Sequence, residues 1–301
     1  MEKPVPKHTE FYQDVAIIGL GLIGGSIAKD IRSHSPKANI SAIDSNVDSL
    51  NQAIKEGVVD QSISYDELGN AANFIILATP IDHIVSTAIK IKEVLSNSAN
   101  NIFEKYIVID TASIKEPIAV SFRNLSSPNL QFLATHPMAG TEYVGWSHAK
   151  KDLFRAKPWI ICGHNKNDVD TIESVSGFVR DLGSRIRLIE PSEHDKQAAL
   201  VSHSVIMLSN LIFDYVATTH PDALDLAGDG FTSTTRLASG NPELHGSIVA
   251  HNADNTFEFL DEFRQFLSDT IDLQKKSDHK GLTPYFASNM DRRNKWLRRR
   301  G

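Results

Sequence analysis

"VAIIGLGLIGGSIAKDI", residues 15–31, decides the reading of this chain. Four apolar, β-prone residues run into Gly19, Gly21 and Gly24 in G-x-G-x-x-G spacing, and a helix-compatible stretch follows. Glycines recur in many turns, so the spacing alone is weak; a strand before it and a helix after it are the context the motif needs. The first glycine permits a tight turn, the second lets backbone approach a pyrophosphate, and the third lets helix and strand pack closely. Backbone N–H groups at the helix start, on Leu22, Ile23 and Gly24, then face the phosphate charge. Further on, "ISAID" ends in Asp44, an acid able to accept hydrogen bonds from both ribose hydroxyls and to repel a 2′-phosphate. Its neighbours Ser45 and Asn46 supply no cation, so NAD is expected over NADP.

Outward from this unit, short apolar runs alternate with amphipathic stretches. "VAII" (15–18), "ISAI" (40–43), "FIIL" (74–77), "YIVI" (106–109) and "FLAT" (132–135) read as buried strands, and their alternation with helical spacing predicts βαβ units building a mostly parallel sheet. "KPWIICG" (157–163) and "IRLIEP" (186–191) extend that sheet at one edge. After Pro191 the pattern becomes all-helical. "SEHDKQAALVSHSVIMLSNLIFDYVATTH" starts with Ser192 as N-cap and Asp195 at the third helical position, where His194 and Asp195 read as structural residues of a helix N-terminus. "NTFEFLDEFRQFLSDTIDLQKKSD" is a second amphipathic helix with aromatics at core spacing, and "RRNKWLRRR" reads as a solvated tail. The expected organisation is a Rossmann-type dinucleotide-binding domain over 1–191 and an all-α domain over 192–301.

The 301 residues, 41% hydrophobic and 23% charged, are enough for one large or two moderate cores. A net charge of −6 argues against nucleic acid as the main partner. One cysteine, Cys162, cannot form an internal disulfide, which favours a reducing compartment. The opening "MEKPVPKHTEFYQ" lacks the apolar core of a signal peptide, and no apolar run approaches the ~20 residues of a membrane span. A soluble cytoplasmic protein without a membrane partner or a metal site is expected.

Ligands of open α/β sheets gather beyond the carboxyl ends of the strands. The strand at 74–77 ends in Ala78, Thr79 and Pro80, a loop beside the cofactor. The strand at 106–109 ends in "DTASIKE", with Asp110, Ser113 and Lys115 close together, and that at 132–135 delivers His136 in "THPMAGTEYVG". A lone histidine at a turn is usually structural; one placed beside a nicotinamide-binding crevice is a candidate for chemistry.

"GLGLIGGS", the D-x-x-S-x-K of Asp110, Ser113 and Lys115, "HPMAGTE", the "SH" of a long helix and "TRLASGNPEL" (235–244) together resemble the prephenate/arogenate dehydrogenases of tyrosine biosynthesis, in order over about residues 14–255. The resemblance implies a Rossmann-type domain, a helical domain that dimerises, and an active site between them. It implies an oxidative decarboxylation: hydride leaves C4 of a cyclohexadienol ring for NAD, the C4 hydroxyl loses its proton, and the ring carboxylate departs as CO2. It places His136 against the hydroxyl, Ser113 beside both, Arg236 on the ring carboxylate, and Thr141, Glu142 and His203 near the substrate. Ile206 and His245 depart from the family pattern, which commonly has a second histidine and an aromatic there. Both departures lie on the substrate side and leave prephenate and arogenate open.

Two other readings stand beside this one. A β-hydroxyacid or imine reductase of similar build would use Lys196 or Asp195 but gives no account of "HPMAGTE". A non-catalytic NAD-binding regulator would show degraded chemistry, whereas His136, Ser113 and Arg236 are all present.

Overall fold

The computed structural model describes residues 12–97, 101–140, 143–276 and 281–299. The chain folds as two compact units that divide in sequence between Asn252 and Ala253. The first holds an eight-stranded sheet: β1 (Asp14–Ile18), β2 (Asn39–Ile43), β3 (Gln61–Ser62), β4 (Phe74–Leu77), β5 (Tyr106–Asp110), β6 (Leu130–Pro137), β7 (Pro158–Cys162) and β8 (Arg185–Leu188). Their spatial order is β3-β2-β1-β4-β5-β6-β7-β8. β1 to β6 run parallel, β7 pairs antiparallel with β6, and β8 runs parallel with β7. The two-residue β3, too short to show a pattern of its own, is the strand that sequence reading misses.

Every residue of β4, β5 and β6 is buried, as a sheet covered on both faces requires. Alternate side chains feed two cores. Val15, Ile17, Ile76 and Ile109 pack with α1 (Leu22–His34), α2 (Val47–Lys55) and α6 (Val169–Asp181). Ala16, Ile18, Ile75, Leu77 and Val108 pack with α3 (Leu68–Ala71), α4 (Ile81–Asn97) and α5 (Glu116–Leu125). Short polar residues start the helices: Asn46 accepts from Ser49 N at 3.0 Å for α2, and Asp168 from Thr171 N at 2.7 Å for α6. The strand order turns back between β1 and β4, the switch point at which such sheets bind ligands.

The first unit continues into α7 (Pro191–Ala198), a π-helical turn (Ala199–His203) and α8 (Ser204–Thr219), which form one unbroken helix. Its start corrects the expected cap: Glu190 is the N-cap and Pro191 the first helical residue, because proline's fixed φ and missing N–H suit that position. Asp195 is therefore the fifth helical residue rather than the third. By length and composition, Pro191–Thr219 is apolar enough to cross a bilayer, contrary to the expected absence of such a run. α9 (Asp229–Thr234) and α10 (Pro242–His251) complete the unit.

The second unit consists of α11 (Ala253–Lys276) and α12 (Leu282–Arg298). "RRNKWLR" is the end of α12 and is exposed throughout, so the stretch expected as a solvated tail is solvated but helical. The aromatics at core spacing on α11 are not all covered: Phe257 and Phe266 are exposed.

Candidate active site

At two of the three loop glycines a side chain would collide with backbone. Gly19 has φ +99°, and a Cβ there would lie 2.5 Å from the Ala78 carbonyl oxygen at the end of β4. A Cβ on Gly24 would lie 1.9 Å from the Gly19 carbonyl oxygen, so α1 approaches β1 only without a side chain. Around Gly21, the N-cap of α1, nothing among the described residues lies within 4 Å of the Cβ position, and none of their side chains caps the helix. The first N–H groups of α1, those of Leu22, Ile23 and Gly24, are thus presented beside a glycine that lets a phosphate come close.

Asp44, at the carboxyl end of β2, holds this loop. Its carboxylate accepts from Leu20 N, and from Asn46 N at 2.6 Å. At the end of β4, Thr79 Oγ1 is buried with no hydrogen-bond partner among the described residues, and Pro80 is exposed beside it. An uncovered phosphate cradle, an acid at the ribose distance in sequence and an unspent hydroxyl suit a dinucleotide. Replacing Asp44 by serine should weaken NAD by about tenfold or more and improve NADP relative to it. A fluorescence titration with both cofactors reads this, and an unchanged preference would show that Asp44 does not read the ribose.

His136 lies at the end of β6, 8% exposed. Its Nδ1 is 2.9 Å from His194 Nε2, and His194 Nδ1 is 2.7 Å from Asp195 Oδ1. Asp195 in turn accepts from Lys115 N and Glu116 N, both at 2.8 Å. Those amides open α5, so Asp195 of α7 caps a different helix from its own. This corrects the reading of His194 and Asp195 as N-terminal residues serving only the helix that carries them. Among the described residues, His136 Nε2 has no hydrogen-bond partner.

Beneath this chain, Lys115 and Asp110 form an ion pair with both side chains fully buried. Lys115 Nζ also donates to Thr135 O at 2.7 Å, and Asp110 accepts from Thr135 N at 2.8 Å and Ala112 N at 3.0 Å. The D-x-x-S-x-K segment is therefore a clamp on the residue preceding His136. Burial, followed by His194, Lys115 and His203, holds the His136 imidazole well below its ordinary range, so the ring is neutral near pH 7. Cys162 on β7 is buried and its thiol is pushed up to about 12, chiefly by burial, which leaves no thiolate for chemistry.

His203 closes the π-helical turn and is fully buried. Asn252 Nδ2 donates to Asp195 O at 2.7 Å and to His203 Nδ1 at 2.9 Å. With Nδ1 accepting, the proton of neutral His203 sits on Nε2, which is buried with no partner among the described residues. Burial, outweighing Asp195, lowers His203 to about 4. The unfolded chain therefore binds this proton first, and the stability His203 confers as a neutral ring is present above about pH 6.5 and lost as pH falls toward 4. Between pH 7 and pH 5 this group should cost about 2 kcal/mol. Urea unfolding across that range should show a steeper loss for the wild type than for His203→Gln, and equal slopes would refute it.

Ser113 lies half-buried in the β5–α5 loop, two residues before Lys115, and makes no hydrogen bond to His136; His194 holds the ring. Arg236 is exposed at the start of a 3-10 turn, Arg236–Ser239. Thr141 and Glu142 lie outside the described residues. Ile206 is buried on α8, and a Cβ on Gly240 would meet the His245 ring at 2.1 Å, so that glycine makes room for the imidazole. His194 and Asp195 are the residues that sequence reading misses. Their signal is spacing: each lies four residues before a buried alanine, Ala198 and Ala199, so both occupy the inward face of the helix.

A doubly wound sheet with a dinucleotide cradle at its switch point, a buried neutral histidine on the adjoining rim and an appended helical segment define a nicotinamide-dependent dehydrogenase. Residues 27–188 match the family described as "Prephenate dehydrogenase, nucleotide-binding domain", and residues 190–288 match "Prephenate dehydrogenase, dimerization domain". The chain belongs to the prephenate dehydrogenase family. A prephenate dehydrogenase of Bacillus subtilis (strain 168) is 27% identical over 283 residues, covering 93% of this chain and 75% of that protein. A cyclohexadienyl dehydrogenase of Zymomonas mobilis is 26% identical, covering 84% and 85%. Among solved structures, the prephenate dehydrogenase of A. aeolicus, in complex with hydroxyphenyl propionate and NAD+, superposes with a TM-score of 0.84 at 25% identity, over 93% of this chain and 97% of that one. The arogenate dehydrogenase of Synechocystis does so with 0.78 at 28%, over 94% and 99%.

Proposed function

We infer that this protein catalyses the NAD-dependent oxidative decarboxylation of prephenate to 4-hydroxyphenylpyruvate. Beyond family membership, the observation that carries the reading is His136: a buried, neutral imidazole held at Nδ1, with Nε2 left over. NAD, when bound, supplies the hydride acceptor. The chain's own residues supply the rest. His136 Nε2 accepts the proton of the C4 hydroxyl as hydride leaves C4 and returns it to the ring oxygen once loss of CO2 makes the ring aromatic, a role that needs an uncharged acceptor near neutral pH. Ser113 bonds the same hydroxyl. Arg236 holds the departing carboxylate until CO2 forms, a task suited to a planar fork of donors. Thr141, Glu142 and the spare Nε2–H of His203 contact the remainder of the substrate. Gly19, Gly21, Leu22, Ile23, Gly24, Asp44, Thr79 and Pro80 form the cofactor side. The functional boundary between the dinucleotide-binding part, 1–191, and the helical part, 192–301, falls at the start of α7.

Arogenate, with an amino group in place of the keto group, is the alternative substrate, favoured by the likeness to an arogenate dehydrogenase structure. Purified protein mixed with NAD and either compound should form NADH; no turnover of either would end this reading. In this reading the protein is a cytoplasmic homodimer. Support for the dimer comes from the family's dimerisation domain and from Val201, Val205, Leu211, Ile212, Phe213 and Tyr215, exposed apolar side chains on and just before α8. They also give the long apolar helix a protein partner in place of a bilayer.

A further inference from the structure

The proton positions of the His136–His194–Asp195 chain follow from its far end. Asp195 takes two backbone N–H groups, one on each carboxylate oxygen, at the positive end of α5. A carboxylate so held is an acceptor, and His194 Nδ1 at 2.7 Å must donate to it. A neutral His194 then has a lone pair on Nε2, and His136 Nδ1, 2.9 Å away, must donate in turn. That leaves His136 with its lone pair on Nε2. The opposite tautomer would place an N–H there, a donor unable to take a proton from a hydroxyl. His194 is 3% exposed and Asp195 is 2% exposed, so water does not compete for these bonds.

We propose that His194 and Asp195 are positioning residues that fix His136 in the Nδ1–H tautomer and so make its Nε2 a base. When Nε2 takes the substrate proton, the His136 ring carries positive charge, and its Nδ1–H bond to His194, backed by the Asp195 charge, strengthens. The groups facing His136 are His194 from α7, His203 from the π-helical turn, and the Lys115–Asp110 pair beneath Thr135. Among these, His194 alone touches Nδ1. Lysine is excluded from this role by position: Lys115 Nζ is spent on Asp110 and Thr135 O.

The role rests on the proposed reaction, but its test does not. Long-range 1H–15N NMR of the imidazoles, assigned with His136→Asn and His194→Gln, reports the His136 tautomer in the full-length protein without substrate. The expected result is a protonated Nδ1 and an unprotonated Nε2 in the wild type and in His194→Gln, whose amide oxygen can still accept. His194→Met, which packs but cannot accept, should give mixed tautomers and a kcat about 100-fold lower, with the Kd for NAD unchanged. His194→Gln should recover most of that kcat. A protonated Nε2 in the wild type overturns the proposal, as does a His194→Met protein that keeps a single Nδ1–H tautomer. If His194→Met does not fold, the wild-type and His194→Gln spectra decide alone. A protein inactive on both candidate substrates but showing the expected tautomers would overturn the reaction and leave the positioning intact.

Discussion

His136→Asn should lower kcat by about 1,000-fold, the upper-middle of what one positioned base contributes. Asparagine keeps the volume and a donor toward His194 but has no group that takes a proton near pH 7. NAD affinity should stay within about twofold, because the glycine loop and Asp44 share no hydrogen bond with His136. Steady-state kinetics with prephenate and a separate NAD titration divide the two effects. A variant whose kcat stays within tenfold of the wild type would remove His136 from the chemistry. The pH profile adds a sign: burial depresses the His136 pKa, so its basic form persists below the usual imidazole range.

The second large effect concerns stability. Lys115→Met should cost about 3–5 kcal/mol, since it leaves Asp110 buried without its cation while Thr135 O loses a donor. For a chain of this size that corresponds to a fall in Tm of roughly 10 °C. The double variant Asp110→Asn/Lys115→Met should recover part of the loss, because the uncompensated charge is gone. Thermal and urea unfolding would measure both. A single-variant loss under about 1 kcal/mol would mean that Asp110 is protonated in the fold and the pair is not ionic.

Much of this molecule is written locally. The strands at 15–18, 74–77 and 106–109 are runs of branched apolar residues that only a doubly covered sheet can bury, and the glycine fingerprint points to the switch point. Pro191 was the less obvious start signal: proline favours the first helical position over the serine that follows it. Asp195 was illegible for a different reason. A carboxylate one turn into a helix looks like a response to that helix's own dipole, and only the packing of α7 on α5 shows that it answers another's. The D-x-x-S-x-K spacing marked Asp110 and Lys115 as important without revealing that they face each other in a fully buried ion pair. Exposed aromatics on α11 show the limit of periodicity, which finds an apolar face but not what covers it.

The cap that Asp195 places on α5 has a consequence for engineering. Two family descriptions divide the chain at residues 188 and 190, as though a cofactor module and a helical module could be exchanged between relatives. The side chains cross that seam: Asp195 terminates a helix on one side, and Asn252, far along the other, grips both Asp195 and His203. In a chimera spliced at 190, His136 comes from one parent and the His194–Asp195 pair that bonds its Nδ1 from the other. Successful grafts will be those that carry the stretch from Pro191 to Asn252 along with the sheet, with crossover placed after α10.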